Sequence, residues 1–122
     1  MKIQKMMDSI IKLEGTIYCI LVDSDNGKLL ASIEGNDWPL PLLAEKSAGI
    51  VQTERHAMRV LGKEREIAQE LLFTMVDYLH VVTILPKNPR FYICTGLKRK
   101  QGNLALLRRI SRDLVADLVI EE

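Results

Sequence analysis

Residues 23–27, Asp-Ser-Asp-Asn-Gly, put two carboxylates, a hydroxyl and an amide into one short segment between apolar runs. Oxygen donors this close could ligate calcium, and paired carboxylates could move protons. A calcium loop of the EF-hand type needs ligands at its first, third and fifth positions and glycine at the sixth, because only glycine makes the bend that wraps the ion. Here glycine is fifth. Glu34 occupies the twelfth position, but the residues from Leu29 to Ile33 are largely apolar where oxygens are needed. The flanks, TIYCILV upstream and KLLASI downstream, read as two strands, so Asn26-Gly27 is expected to be a hairpin turn that tolerates positive φ.

Other candidates for chemistry fail on spacing. A phosphate-binding P-loop requires Gly-Lys followed by Ser or Thr, with another glycine five residues before the first. Gly62-Lys63 comes nearest, with Ala57 in place of that glycine and Glu64 in place of the hydroxyl. His56 and His80 lack the nearby second ligand that zinc sites show. His56 reads as part of a solvated helix face, and His80 as a surface or hydrogen-bonded residue in a strand. Cys19 and Cys94 lie in apolar runs without a nucleophile signature, and there is no Gly-x-Ser-x-Gly elbow. The chain is therefore expected not to be an enzyme, with no catalytic residue, cofactor or metal. The basic run Lys98-Arg99-Lys100, with Arg108, Arg109 and Arg112 beyond it, could meet phosphate or an acidic protein. No aromatic residues interleave with it, so a solvated connection is preferred over nucleic-acid binding.

Length and charge set the frame for these residues. A chain of 122 residues suffices for one domain that buries roughly two-thirds of its unfolded surface. Seventeen basic against 16 acidic residues leave no whole-molecule field to recruit nucleic acid or an anionic membrane, although local patches are possible. No apolar run is long enough to span a bilayer, and Asp8 and Glu14 interrupt the N-terminal segment. A cytoplasmic protein with reduced, buried cysteines and no membrane insertion is the expectation.

Apolar residues from Ile3 to Leu13 recur at three and four, which predicts a first helix ended by Gly15. The first hairpin strand is apolar on both alternating sets, as expected of a central strand covered on both faces. After the breaker-rich EGNDWPLP, residues Leu42 to Leu61 form the longest predicted helix, closed by Gly62. Three strand-like runs follow, EIAQELLFTM, YLHVVTILP and RFYICTGL, the first two joined by a tight turn near Asp77. Asn103 is placed to cap a last helix with a stripe of Leu104, Leu107, Ile110, Leu114 and Leu118. The order is αββαβββα, one compact α/β domain. Within the long helix, Gly49 lies among Ala44, Ser47 and Ala48. An interior glycine costs about 1 kcal/mol relative to alanine. The small face could admit a close neighbour, or the helix could merely tolerate one glycine.

Several local patterns resemble the Roadblock family, the dynein light chain fold that also includes bacterial MglB-type GTPase regulators. They are LEGTIYCILVDSDNGKLLAS for the first helix end and hairpin, ILPKNPRFYICTG for the last two strands, and GNLALLRRISRDL for the last helix, where Ala105 replaces the family's usual glycine. The resemblance spans residues 1–122 as a single Roadblock-like domain. It implies a five-stranded antiparallel sheet ordered 2-1-5-4-3, with the first and last helices on one face and the long helix on the other. The strands of Cys19 and Cys94 would then be neighbours, close enough for artificial oxidation. It also implies a homodimer through the long helix and the third strand. On this chain that interface would comprise Ala44, Ser47, Ala48, Gly49, Val51 and Arg55 of the helix, with Ile67, Gln69, Leu71 and Phe73 of the strand.

The function that follows from the resemblance is a non-catalytic dimeric regulator or scaffold of a Ras-like small GTPase, affecting its nucleotide cycle or localisation. Arg90, Arg99 and Arg108 could each approach a nucleotide held by such a partner. A structural adaptor of a motor or signalling complex is the alternative. A small-ligand sensor is the third reading, which the apparent packing of both sheet faces disfavours.

Overall fold

The computed structural model describes residues 2–34 and 37–120; Gly35 and Asn36, within the breaker-rich loop, and the side chains of Lys2 and Glu34 lie outside the described residues. The elements are α1 (Lys2–Ile11), β1 (Thr16–Asp23), β2 (Lys28–Glu34), α2 (Leu40–Val60), β3 (Glu70–Thr74), β4 (Tyr78–Ile84), β5 (Phe91–Lys98) and α3 (Leu104–Val115). The strands form one antiparallel sheet in the order β2-β1-β5-β4-β3, as expected. α1 and α3 cover one face, while α2 packs on the other, over β1 and β2.

Local chemistry explains the element ends. The β1–β2 loop is Ser24–Gly27, with Gly27 at φ +71° and its N–H donating to the Asp23 carbonyl at 2.8 Å. Asp23 and Asn26 each accept a backbone N–H two residues on through their side chains, at 2.9 Å, the local turn chemistry these residues favour. α2 stops in a Schellman arrangement around Gly62, where the Gly62 N–H reaches Arg59 O and the Lys63 N–H reaches Met58 O. Asn103 caps α3, its side-chain oxygen accepting from the Leu106 N–H at 3.0 Å.

Two layers of core follow from the two-residue period of the strands. Tyr18, Ile20, Val22, Val82, Tyr92 and Cys94 face α2, while Cys19, Leu21, Val81, Ile93 and Leu97 face α1 and α3. β1 is thus buried on both sides from Tyr18 to Asp23. Tyr18 lies across β5 at Gly96, where a Cβ would meet its ring at 2.0 Å.

Three expectations are corrected. The third strand is shorter than EIAQELLFTM: Glu66 and Ile67 instead close local turns with Lys63 O and Arg65 O, and pairing begins at Glu70. The inward stripe of α3 is Leu104, Leu107, Ser111, Val115 and, past the helix end, Leu118, whereas Leu114 is exposed. A small hydroxyl in that stripe hid its phase. Finally, Cys94 pairs with Ile20 and Cys19 with Thr95, so the two free thiols point to opposite faces of the sheet. Neighbouring strands do not make them disulfide partners, because adjacent residues along a strand alternate sides.

Candidate interaction site

The small residues of α2 seat the helix on its own sheet. Ala44, Ser47, Ala48 and Val51 are buried in the protomer. The Ser47 hydroxyl meets the Tyr92 hydroxyl at 2.5 Å and donates to Ala44 O at 3.1 Å. Gly49 faces away, with nothing within 4 Å of a Cβ built on it. Ser47 touches β5, whereas Glu45 and Ala48 lie against Gly27 and the Gln52 amide donates to Ser24 O. At 3.6 residues per turn, the flank running through Leu43, Ser47, Ile50 and Glu54 therefore turns toward β5 and the β3 side of the sheet. Ile50, absent from the residues expected at an interface, is 46% exposed there. The seven-residue spacing from Leu43 to Ile50 was a signal for it.

Arg55 is engaged within the protomer. Its guanidinium donates to the Ser24 hydroxyl at 2.9 Å and to the Pro89 carbonyl, tying α2 to both the β1–β2 and β4–β5 loops. Close by, Arg90 grips the buried Asp23 carboxylate with two bonds, 3.0 Å from Nε and 2.7 Å from Nη2, and its Nε lies 3.2 Å from Asp25. These bonds hold the Asp23 carboxyl below its usual range, against the opposing effect of burial. The segment that posed the calcium question is a salt-bridged turn. Arg108 similarly makes two contacts with Glu70, at 3.0 and 2.8 Å, and the Arg99 guanidinium donates to Met75 O at 3.0 Å. All three arginines weighed for reach toward a nucleotide thus have partners within the chain.

β3 is the open edge. The Ile84 N–H donates to Gln69 O, and the Met75 N–H to Tyr78 O. In an antiparallel ladder hydrogen-bonded positions alternate. Gln69, Leu71, Phe73 and Met75 consequently direct their backbone groups to β4, while Glu70, Leu72 and Thr74 direct theirs outward. Side chains divide the same way: Leu71 and Phe73 are half-buried on the α2 face, and Leu72, 41% exposed, lies on the α3 face. Ile67 and Gln69 are exposed on the approach to the strand. Of the ten residues expected to form an interface, the structure thus gathers Leu71 and Phe73 with Ile67 and Gln69 along one edge, and places the inward residues of α2 beneath the helix.

His56 is exposed, whereas His80 belongs to a half-buried aromatic group beside this edge. Its Nδ1 meets the Tyr18 hydroxyl, and Trp38 stands edge-on to both His80 and Tyr78 at 5.2 and 5.3 Å. Burial lowers the pKa of His80, and it raises that of Tyr18 far above the ordinary phenol range. Among the described residues, no three His, Cys, Asp or Glu side chains converge as a metal site would require, and no helix is long and apolar enough to cross a membrane.

At the level of sequence the chain matches no family model and no curated protein. Its fold is nonetheless shared by solved structures. MglB of Myxococcus xanthus is similar with a TM-score of 0.80 and 19% identity, over 93% of this chain and 89% of that one. The gliding protein MglB of Thermus thermophilus gives 0.78 at 17% identity, over 94% and 84% of the two chains. A Roadblock/LC7 domain from Streptomyces avermitilis gives 0.77 at 14% identity, over 91% and 89%. Sheet order, helix placement and these likenesses together identify the fold of this chain as the Roadblock fold.

Proposed function

We propose that this chain is a non-catalytic, homodimeric regulator or scaffold that binds a Ras-like small GTPase and modulates its nucleotide cycle or localisation. The observation that carries the reading is the open β3 edge, with half-covered Leu71 and Phe73 beside the exposed Ile50 flank of α2. An apolar edge strand left unpaired is a template for aggregation, and a second copy removes that liability by pairing with it. A two-fold axis through Leu72 brings the outward-directed Glu70, Leu72 and Thr74 of one copy opposite Thr74, Leu72 and Glu70 of the other. The Roadblock resemblance implies the partner, and the absence of nucleotide-binding motifs from the sequence leaves the nucleotide chemistry to it.

Light scattering tests the dimer. The expected mass is near twice 13.9 kDa, and Ile50→Asp is expected to halve it. Gly49→Ala separates two roles for the glycine: by helix propensity it adds about 1 kcal/mol of stability, and it weakens the dimer only if two helices approach each other at that position. A chain that stays monomeric at high micromolar concentration overturns the dimer. Pull-down with GTP- and GDP-loaded small GTPases tests the partner, and equal capture of both forms favours a structural adaptor. That second reading has its own support in a cleft of ≈ 550 Å³ between the approach to β3 and α3, walled by Arg65, Ile67, Glu70, Arg108 and Arg112. On that reading the cleft would take an extended peptide of the assembly partner.

A further inference from the structure

The basic run Lys98-Arg99-Lys100 is used neither by the core nor by the surfaces assigned above. β5 ends at Lys98, and the chain turns through Arg99 and Lys100 toward α3. Beside this turn stands another, Met75-Val76-Asp77, which joins β3 to β4. Arg99 fastens the two together: its backbone N–H donates to Asp77 O and its guanidinium to Met75 O, both at 3.0 Å. The basic turn is held from behind as well, by the Lys98 N–H to Gly15 O and the Gly102 N–H to Lys98 O, each 2.8 Å. Between the turns lies a groove of ≈ 530 Å³ walled by Val76, Asp77, Tyr78, Lys98, Lys100 and Gln101, together with Arg99.

Two features of this corner belong together. Turn tips usually carry Gly, Asn, Asp or Ser, yet here Val76 is 87% exposed and Met75 51% exposed. Around them stand three cations with Asp77 as the one carboxylate lining the groove. A protruding apolar tip ringed by cations is the combination that attaches proteins to the interface of an anionic bilayer: the cations lie at the phosphate plane and the tip enters the acyl boundary. We propose that this corner docks the protein peripherally on an anionic phospholipid surface, with Lys98 and Lys100 on headgroup phosphates and Met75 and Val76 in the interfacial layer. A fluid bilayer is favoured over an acidic protein because the apolar residues stand exposed at a turn between two strands, Val76 at 87%, and a bilayer accepts such a tip without a matching pocket. The near-neutral charge of the whole chain conceals this local asymmetry.

The test is co-sedimentation of the full chain at low ionic strength with vesicles of pure phosphatidylcholine or of equimolar phosphatidylcholine and phosphatidylglycerol. Binding is expected only to the anionic vesicles and is expected to fall as salt rises. The double variant Lys98→Glu/Lys100→Glu should reduce partitioning about tenfold or more. Val76→Asp should also reduce it, while Lys63→Glu, on an exposed residue past α2, should leave it unchanged. Unaltered circular dichroism and thermal midpoint establish that each variant folds. No binding to the anionic vesicles overturns the proposal, as does binding that survives the double variant or that is indifferent to Val76→Asp. If Val76→Asp instead lowers the mass seen by light scattering, the tip is a contact between copies and the proposal also falls. The dimer and GTPase tests use other residues, so either reading can fail alone.

Discussion

Asp23 and His80 show how single environments set the pH response. Asp23 is buried and held by Arg90, with its carboxyl below the usual value of 3.8. Its contribution is complete above that value and is lost as pH falls through the lower value in the folded state. Asp23→Asn keeps the shape and removes the charge. It is expected to cost about 1–2 kcal/mol near neutrality, allowing for the partial exposure of Arg90, and the deficit should vanish in acid. Urea unfolding of both proteins at neutral and strongly acidic pH checks this; a deficit that persists in acid removes the ion pair as its cause. His80 acts in the same direction at higher pH. Burial lowers its pKa from 6.5, so the unfolded chain takes up its proton first and stability declines as pH falls below about 6.5. His80→Gln should flatten that part of the profile. Tyr18→Phe, which removes the hydroxyl meeting Nδ1, should cost about 1 kcal/mol. A wild-type profile level between mildly alkaline and mildly acidic pH would contradict the account of His80.

At the scale of elements, β3 is the segment where one residue of register decides the outcome. Leu71 gives its amide to β4, and Leu72 gives its amide to the open edge. Leu71→Pro should therefore destabilise the protomer by breaking the ladder, whereas Leu72→Pro should leave the protomer folded and prevent strand addition. Thermal melts paired with light scattering distinguish the two. Equal behaviour of the variants would show that the edge is not used as described. α2 offers a parallel lesson. Its small residues were visible in the sequence, but small residues serve equally to seat a helix on its own sheet and to admit a second helix. Contact of Ser47 with Tyr92, and of Gly27 with Glu45 and Ala48, gives the first use a structural basis.

Across the whole molecule, the sheet separates two cores, and the thiols report that separation. Cys19 and Cys94 are buried on opposite faces, and burial pushes their pKa values up to about 12 and about 11. Both should label slowly in the native state and rapidly after denaturation, and a mild oxidant should not join them within one folded chain. Fast native labelling would contradict the burial. The sequence alone determined the element order, the two-sided burial of β1, a hairpin between β1 and β2, the cap at Asn103 and the stop at Gly62, because each depends on periodicity or backbone preference within a few residues; the hairpin turn itself is the four-residue Ser24–Gly27 rather than Asn26-Gly27 alone, with Gly27 at positive φ. Arg90 with Asp23, Arg108 with Glu70, Tyr18 with His80 across Gly96, and Met75-Val76 beside Lys98-Arg99-Lys100 were decided only by the tertiary structure. These partners lie far apart along the chain, and no local pattern encodes which side chains the sheet order and register will bring together.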